Sequence, residues 1–146
     1  MIRADQLQIG DYVLVSGTPR RVESITKKKI GYHINPQTDK RLYFAWLRDV
    51  EPIEITGEML EKNAFGTKGM TTIYFLKGEF PDDFIWNITL DLRYRVVDAI
   101  LWKRIQPKDL TYDDLVTQRN VFVKSLYIHQ LQQACRMCGI KIYWKL

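Results

Sequence analysis

Between residues 12 and 46 the apolar side chains recur at every second position in short runs, and each run stops at a cluster of turn-forming residues. The runs are "YVLV" (12–15), "RVESI" (21–25), "KIGYHI" (29–34) and "RLYFAW" (41–46), with "SGTPR" and "NPQTDK" among the breaks. A period of two puts alternate side chains on opposite faces of an extended chain, whereas a helix needs apolar residues three and four apart. Strands this short, joined by turns, pair antiparallel, because parallel pairing needs a long crossover. Val22 and Ile25, then Ile30, Tyr32 and Ile34, then Leu42, Phe44 and Trp46 give this alternation in part or in full. Four or five such strands predict a small SH3-like β-barrel over residues 1–55, with a curled meander as the alternative topology.

A second lobe is expected over residues 56–146, the two lobes either standing apart or sharing one core. Thr56 is placed to cap a short helix in "GEMLEKNAFG", with Met59, Leu60 and Phe65 facing inward and Gly66 ending the turn. "TTIYFLKG" (71–78), "DFIWNITL" (83–90) and "LRYRVVDAILWKRI" (92–105) read as strands of a mostly antiparallel sheet, although Val97 to Ile105 suits a helix equally. "QPKDLTYDDLVTQRN" reads as a loop or one helical turn, "VFVK" (121–124) as a strand and "IKIYW" as a last short strand. The predicted class is α+β: an SH3-like barrel, then a mostly antiparallel sheet with a C-terminal helix.

That helix lies in "SLYIHQLQQACRMCG" (125–139), which also holds both cysteines of the chain and one of its two histidines. Ser125 stands where an N-cap belongs and Gly139 where a C-terminal glycine stops a helix. At about 100° per residue, Tyr127, Ile128, Leu131, Ala134, Cys135 and Cys138 share one apolar stripe. His129, Gln132, Gln133 and Arg136 fall on the other side, with His129 about 120° from Cys135 and about 180° from Cys138. One helix cannot aim all three at one metal, and a structural zinc site needs four ligands. The Cys-x-x-Cys pair also sits in the last turn, at the negative end of the helix dipole, where a thiolate is disfavoured. Two small apolar side chains packing the final turn are therefore expected, with no metal and no cofactor.

The net charge is +5, and residues 115–146 hold Arg119, Lys124, Arg136, Lys141 and Lys145 with no Asp or Glu. A second basic cluster is Arg20, Arg21, Lys27, Lys28 and Lys29, opposed within it by Glu23 alone. Such stripes are either a footprint for phosphate or an ordinary solvated face. Tyr32, Tyr43, Phe44 and Trp46 lie near these cations and near Lys40 and Arg41, the mixture by which small barrels hold single strands or peptides. Because a small lobe needs aromatics for its core, Phe44 and Trp46 are expected to fill the barrel. The candidate binding residues are Arg20, Arg21, Lys27, Lys28, Lys29, Tyr32, Arg41 and Tyr43.

Nothing in the sequence argues for an enzyme. Asp82 with Asp83, and Asp113 with Asp114, are adjacent pairs that diverge on a strand or a helix, and they read as loop or first-turn acids, Asp114 as a partner for Thr111. No phosphate-cradling glycine loop, nucleophile elbow or zinc-protease motif occurs. The N-terminus lacks a signal-peptide pattern and no apolar run reaches the roughly 18 residues of a membrane span, so a cytoplasmic protein that does not engage membranes is expected.

Three segments, "LQIGDYVLVSGTPRRVESI", "PIEITGEMLEKNAFG" and "LYIHQLQQACRMCGIKI", resemble a family of small proteins of Bacteroidales genomes and their phages or integrated elements. The third is the most specific, through "HQLQ" followed by a helix-ending glycine; "ACRMC" departs from the family pattern of aromatic, aliphatic and threonine residues. The resemblance implies no activity, and it draws attention to His129, Gln130 and Gln132 as helix-face contacts to a neighbouring lobe or partner. The expected function is a non-catalytic binding or structural accessory protein of a mobile element with a protein partner. The alternative is nucleic-acid binding through the basic and aromatic surface of the N-terminal lobe.

Overall fold

The computed structural model describes residues 1–67, 72–81, 83–105 and 114–146. It is a mixed α+β structure whose strands pair antiparallel, and it divides into two compact units, Met1–Glu54 with Tyr127–Gln133, and Ile55–Leu126 with Ala134–Leu146.

In the first unit β1 (Tyr12–Val15) and β2 (Thr18–Arg21) form a hairpin. Its two-residue turn, Ser16–Gly17, has positive φ at both positions (51° and 77°), the turn whose twist matches paired strands. The other edge of β1 pairs with β6 (Val50–Glu51). A separate sheet holds β3 (Ser24–Ile25), β4 (Lys29–Tyr32) and β5 (Tyr43–Trp46) in that order. The run "RVESI", expected as one strand, is broken at Val22–Glu23. There the chain changes sheets: Val22 N–H donates to Asp11 O (2.8 Å), and Glu23 N–H to Gly31 O (2.8 Å). Among the described residues the two ladders do not join into one closed barrel. They nonetheless supply one core, in which Ile2, Leu7, Val13, Val22, Ile30, Leu47 and Val50 cluster.

In the second unit Thr56 Oγ1 accepts from Met59 N–H (3.2 Å) and caps α1 (Gly57–Lys62), as the sequence predicts. The helix is closed two residues earlier than expected. Ala64, with φ 67°, takes the left-handed position in place of Gly66, and Phe65 N–H reaches back to Leu60 O (2.9 Å). The short β7 (Gly66–Thr67) is followed by β8 (Ile73–Phe80), β9 (Phe84–Asp91), β10 (Val96–Ile105) and β11 (Asp114–Lys124) in a five-stranded meander. Its core face carries the buried Ile88, Leu90, Val97, Ala99 and Val121.

Three expectations are corrected in this unit. Leu92–Arg95 is the β9–β10 turn rather than strand, closed by Arg93 N–H and Thr72 Oγ1 donating to Asp91 Oδ1 (2.9 and 3.0 Å). Residues 115–120 belong to β11 rather than to a loop. "IKIYW" forms no strand, because the tail is held otherwise. The Asn63 side chain donates to Lys145 O (3.0 Å) and accepts from Lys145 N–H (2.7 Å), standing in for a strand partner, while Trp144 stacks on Phe65. The suggested pairing of Thr111 with Asp114 lies outside the described residues, as do Asp82 and Asp113.

The C-terminal helix, α2 (Ile128–Met137), starts later than Ser125. Gln130 Oε1 accepts from Tyr127 N–H (3.2 Å), which is half of a capping box. Its end is as predicted: Gly139 has φ 77°, Gly139 N–H donates to Arg136 O (2.9 Å), and Ile140 N–H to Cys135 O (2.8 Å). No helix among the described residues is long and apolar enough to cross a membrane.

Candidate functional site: an aromatic and basic sheet face

The register of β4 with β5 decides which aromatics are free. Lys29 pairs with Trp46, Ile30 with Ala45, Gly31 with Phe44 and Tyr32 with Tyr43. Directly opposed residues share a face, so Ile30 and Ala45 turn toward the core, and Lys29, Gly31, Phe44 and Trp46 form the outer face. Ile30 is 0% exposed, whereas Phe44 is 57% and Trp46 42% exposed. The expectation that Phe44 and Trp46 fill a barrel is therefore corrected. The small Ala45 takes the inward place, and a one-residue change of register exchanges the faces.

Gly31 shapes this outer face. A Cβ at Gly31 would lie 3.3 Å from Phe44 Cε1 and would collide with the Ser24 hydroxyl. The missing side chain lets the Phe44 ring lie across the neighbouring strand. Lys27 and Lys28 form the exposed tip of the β3–β4 turn, which is closed by Thr26 N–H donating to Lys29 O (2.8 Å).

Cations surround Trp46. Lys29 Nζ is 4.3 Å and Arg48 Cζ 5.3 Å from its ring, within cation–π range. An open groove of about 740 Å³ continues from the ring, lined by Met1–Asp5, Lys27, Lys28 and Trp46–Arg48. Arg3 is paired with Asp5 (3.2 Å) and Arg48 lies 4.0 Å from Asp49. Lys27, Lys28 and Lys29 have no carboxylate within 4.0 Å among the described residues. The three lysines thus leave this corner electropositive.

The remaining predicted residues form a different, internally paired group. Arg20 Cζ lies 5.6 Å from the Tyr32 ring and its Nη1 donates to Ile34 O (3.3 Å). The Tyr32 and Tyr43 rings are 6.2 Å apart, and Tyr43 OH donates to Asp39 Oδ2 (3.1 Å). Arg41 pairs with the same Asp39 (3.6 Å), and Arg21 with Glu23 (2.6 Å). The fold brings Arg20, Tyr32, Tyr43 and Arg41 together, but on the side of β4–β5 opposite Phe44 and Trp46. Sequence reasoning missed Phe44, Trp46 and Arg48 as surface residues.

His129, Gln130 and Gln132 also hold the fold locally. Gln132, 4% exposed, accepts from Tyr12 N–H (2.8 Å) and donates to Gly10 O (3.1 Å). Beside it Gln133 donates to Gln6 O (2.9 Å) and to Asp11 Oδ2 (2.7 Å), a carboxylate that is completely buried. These bonds pin the segment before β1 to the first half of α2. His129 is also buried; its ring stacks on Tyr127 (5.8 Å) and Nδ1 has no hydrogen-bond partner among the described residues. Loss of hydration pushes its pKa below 6.5, against the attraction of Asp11.

Both thiols lie inside the second unit. Cys135 is pushed up to about 12 by burial, and Cys138 is raised by the same cause, its Sγ resting 3.7 Å from Arg119 O. They behave as small apolar side chains. Among the described residues no cluster of three or more His, Cys, Asp or Glu could hold a metal ion.

The five-stranded sheet has a second exposed feature. Its face away from the buried row carries Phe75, Ile85 and Trp102 along a groove of about 580 Å³, with Lys77, Asn87 and Thr89. Phe122 on the same face is 68% exposed.

The chain matches no protein-family model, no curated protein and no solved structure.

Proposed function

We propose that this protein is a non-catalytic, cytoplasmic binding module that holds nucleic acid on the outer face of β3–β4–β5. One observation carries the reading: two large aromatic rings, Phe44 and Trp46, stand half-exposed beside three lysines that have no carboxylate partner among the described residues. Aromatic faces with cations alongside suit a polymer that alternates π-systems and phosphates. Binding without catalysis fits the buried titratable groups of this unit, since Asp11 accepts hydrogen bonds that hold the segment before β1 and His129 is sealed against Tyr127. We read the unit as an SH3-like lobe, on the support of its two three-stranded sheets sharing one core. On the resemblance of its three segments to small Bacteroidales phage and mobile-element proteins, we assign the module to that group.

The test is anisotropy of labelled single- and double-stranded DNA and RNA titrated with the protein at low and moderate salt. Binding that weakens with salt supports the reading. Absence of binding to all four at low salt contradicts it.

A second reading, an accessory protein that docks a protein partner, is favoured by the apolar face bearing Phe75, Trp102 and Phe122. It predicts capture of one specific protein, lost when Phe122 is changed to a charged residue.

A further inference from the structure

We infer that the site takes single-stranded nucleic acid, with two consecutive splayed bases stacked on Phe44 and Trp46 and the backbone phosphates running along Lys27–Lys29 and Arg48. This rests on the nucleic-acid reading and specifies its ligand. Phe44 and Trp46 are two residues apart on one strand face, so their Cα atoms are about 6.6 Å apart along the strand. Bases in a duplex are stacked every 3.4 Å or so and offer only their edges in the grooves. Rings at twice that spacing match bases that have been unstacked and separated, which an unpaired strand allows at little cost. Gly31 adds to the fit, because the bare backbone beneath Phe44 lets that ring lie along the sheet rather than stand away from it.

The cations are placed for the backbone of such a strand. Lys29 and Arg48 both lie over the Trp46 ring, so a base stacking there takes the place of one of them and frees that cation for a phosphate, and Lys27 and Lys28 rim the groove beyond it. Ile2 and Leu47 floor that groove but are each only 6% exposed, so the surface left open to a ligand there is that of the Trp46 ring and the surrounding cations. A duplex could meet the lysines but not the ring faces. The arrangement therefore favours single strands by stacking and holds both forms by charge.

The experiment compares a short labelled oligothymidine, its RNA counterpart, a hairpin duplex and an oligonucleotide of equal charge lacking bases. Each is titrated with the wild type, Phe44→Ala/Trp46→Ala, Trp46→Phe and Lys27→Ala/Lys28→Ala/Lys29→Ala, with circular dichroism to confirm folding. The expected result is preference for the single strands, at least about 25-fold weaker binding in Phe44→Ala/Trp46→Ala, about five-fold for each of the two rings, and near-wild-type binding in Trp46→Phe. The base-free strand should bind the wild type no better than the normal strand binds the double aromatic variant. Equal affinity for all four ligands, unchanged in Phe44→Ala/Trp46→Ala but lost in the lysine variant, would overturn the stacking inference and leave nucleic-acid binding standing. No binding of any ligand at low salt would overturn both.

Discussion

Lys29 and Trp46 face each other across β4 and β5, with the ammonium 4.3 Å from the centre of the indole ring. Their neighbours in the ladder, Ile30 and Ala45, point the other way, into the core. Stability measurements should resolve the two faces. Ile30→Ala removes a completely buried side chain and is expected to cost about 2–5 kcal/mol. Phe44→Ala, on the exposed face, should cost less than about 1 kcal/mol. Urea denaturation of the two variants checks this, and the opposite order would mean that the register is wrong.

The two helix ends give a matched pair of predictions. Ala64 and Gly139 both occupy the left-handed position that closes a helix, with φ of 67° and 77°. A side chain there costs roughly 1–2 kcal/mol. Ala64→Gly should therefore stabilise the protein by about 1 kcal/mol, and Gly139→Ala should destabilise it by a similar amount. Arg119 Nη1, at 3.7 Å from the added Cβ, leaves room for it, so backbone strain alone is being measured. Shifts of the urea midpoint in opposite directions are the expected outcome.

Helix ends and strand runs were legible in the sequence because they depend on local chemistry. Thr56 caps α1, Gly139 ends α2, and the apolar period marks β8, β9 and most of β10. The faces of β5 were not legible. "LYFAW" alternates equally well either way, and the deciding fact is that Ala45 lies opposite Ile30, a pairing that belongs to the ladder. Turn and strand likewise looked alike at Leu92–Val96, where Asp91 fastens the turn through contacts remote from the period. The candidate site suffered most, since its lysines were visible as a cluster while the exposure of Phe44, Trp46 and Arg48 follows from register. The roles of Gln132 and Gln133 depend on partners about 120 residues away along the chain.

Gln132 satisfies both Tyr12 N–H and Gly10 O from a buried position. Gln132→Ala would leave both backbone groups without that partner. The expected cost is about 2–4 kcal/mol, the range for one or two buried groups deprived of a hydrogen bond. Gln133→Ala should cost less, because Gln133 is less buried. Chemical denaturation of the two variants gives the comparison.

His129 gives stability a defined pH dependence. Burial lowers its pKa below 6.5, so between the folded midpoint and pH 6.5 the unfolded chain binds more protons than the folded one. Stability therefore rises with pH across that window. It should fall as the pH drops through 6.5 and stop falling below the folded midpoint. His129→Gln should flatten this part of the profile of urea midpoint against pH, and an unchanged slope would show that His129 is not its source.

The central claim, that Lys27, Lys28 and Lys29 meet phosphates, is tested most directly by the salt dependence of binding to a labelled single strand. Each phosphate neutralised contributes a slope of about −0.7 in log K against log salt. The wild type should show a slope steeper than that of Lys27→Ala/Lys28→Ala/Lys29→Ala by about 2. Identical slopes in the two proteins, or no binding at low salt, would contradict the assignment of this face.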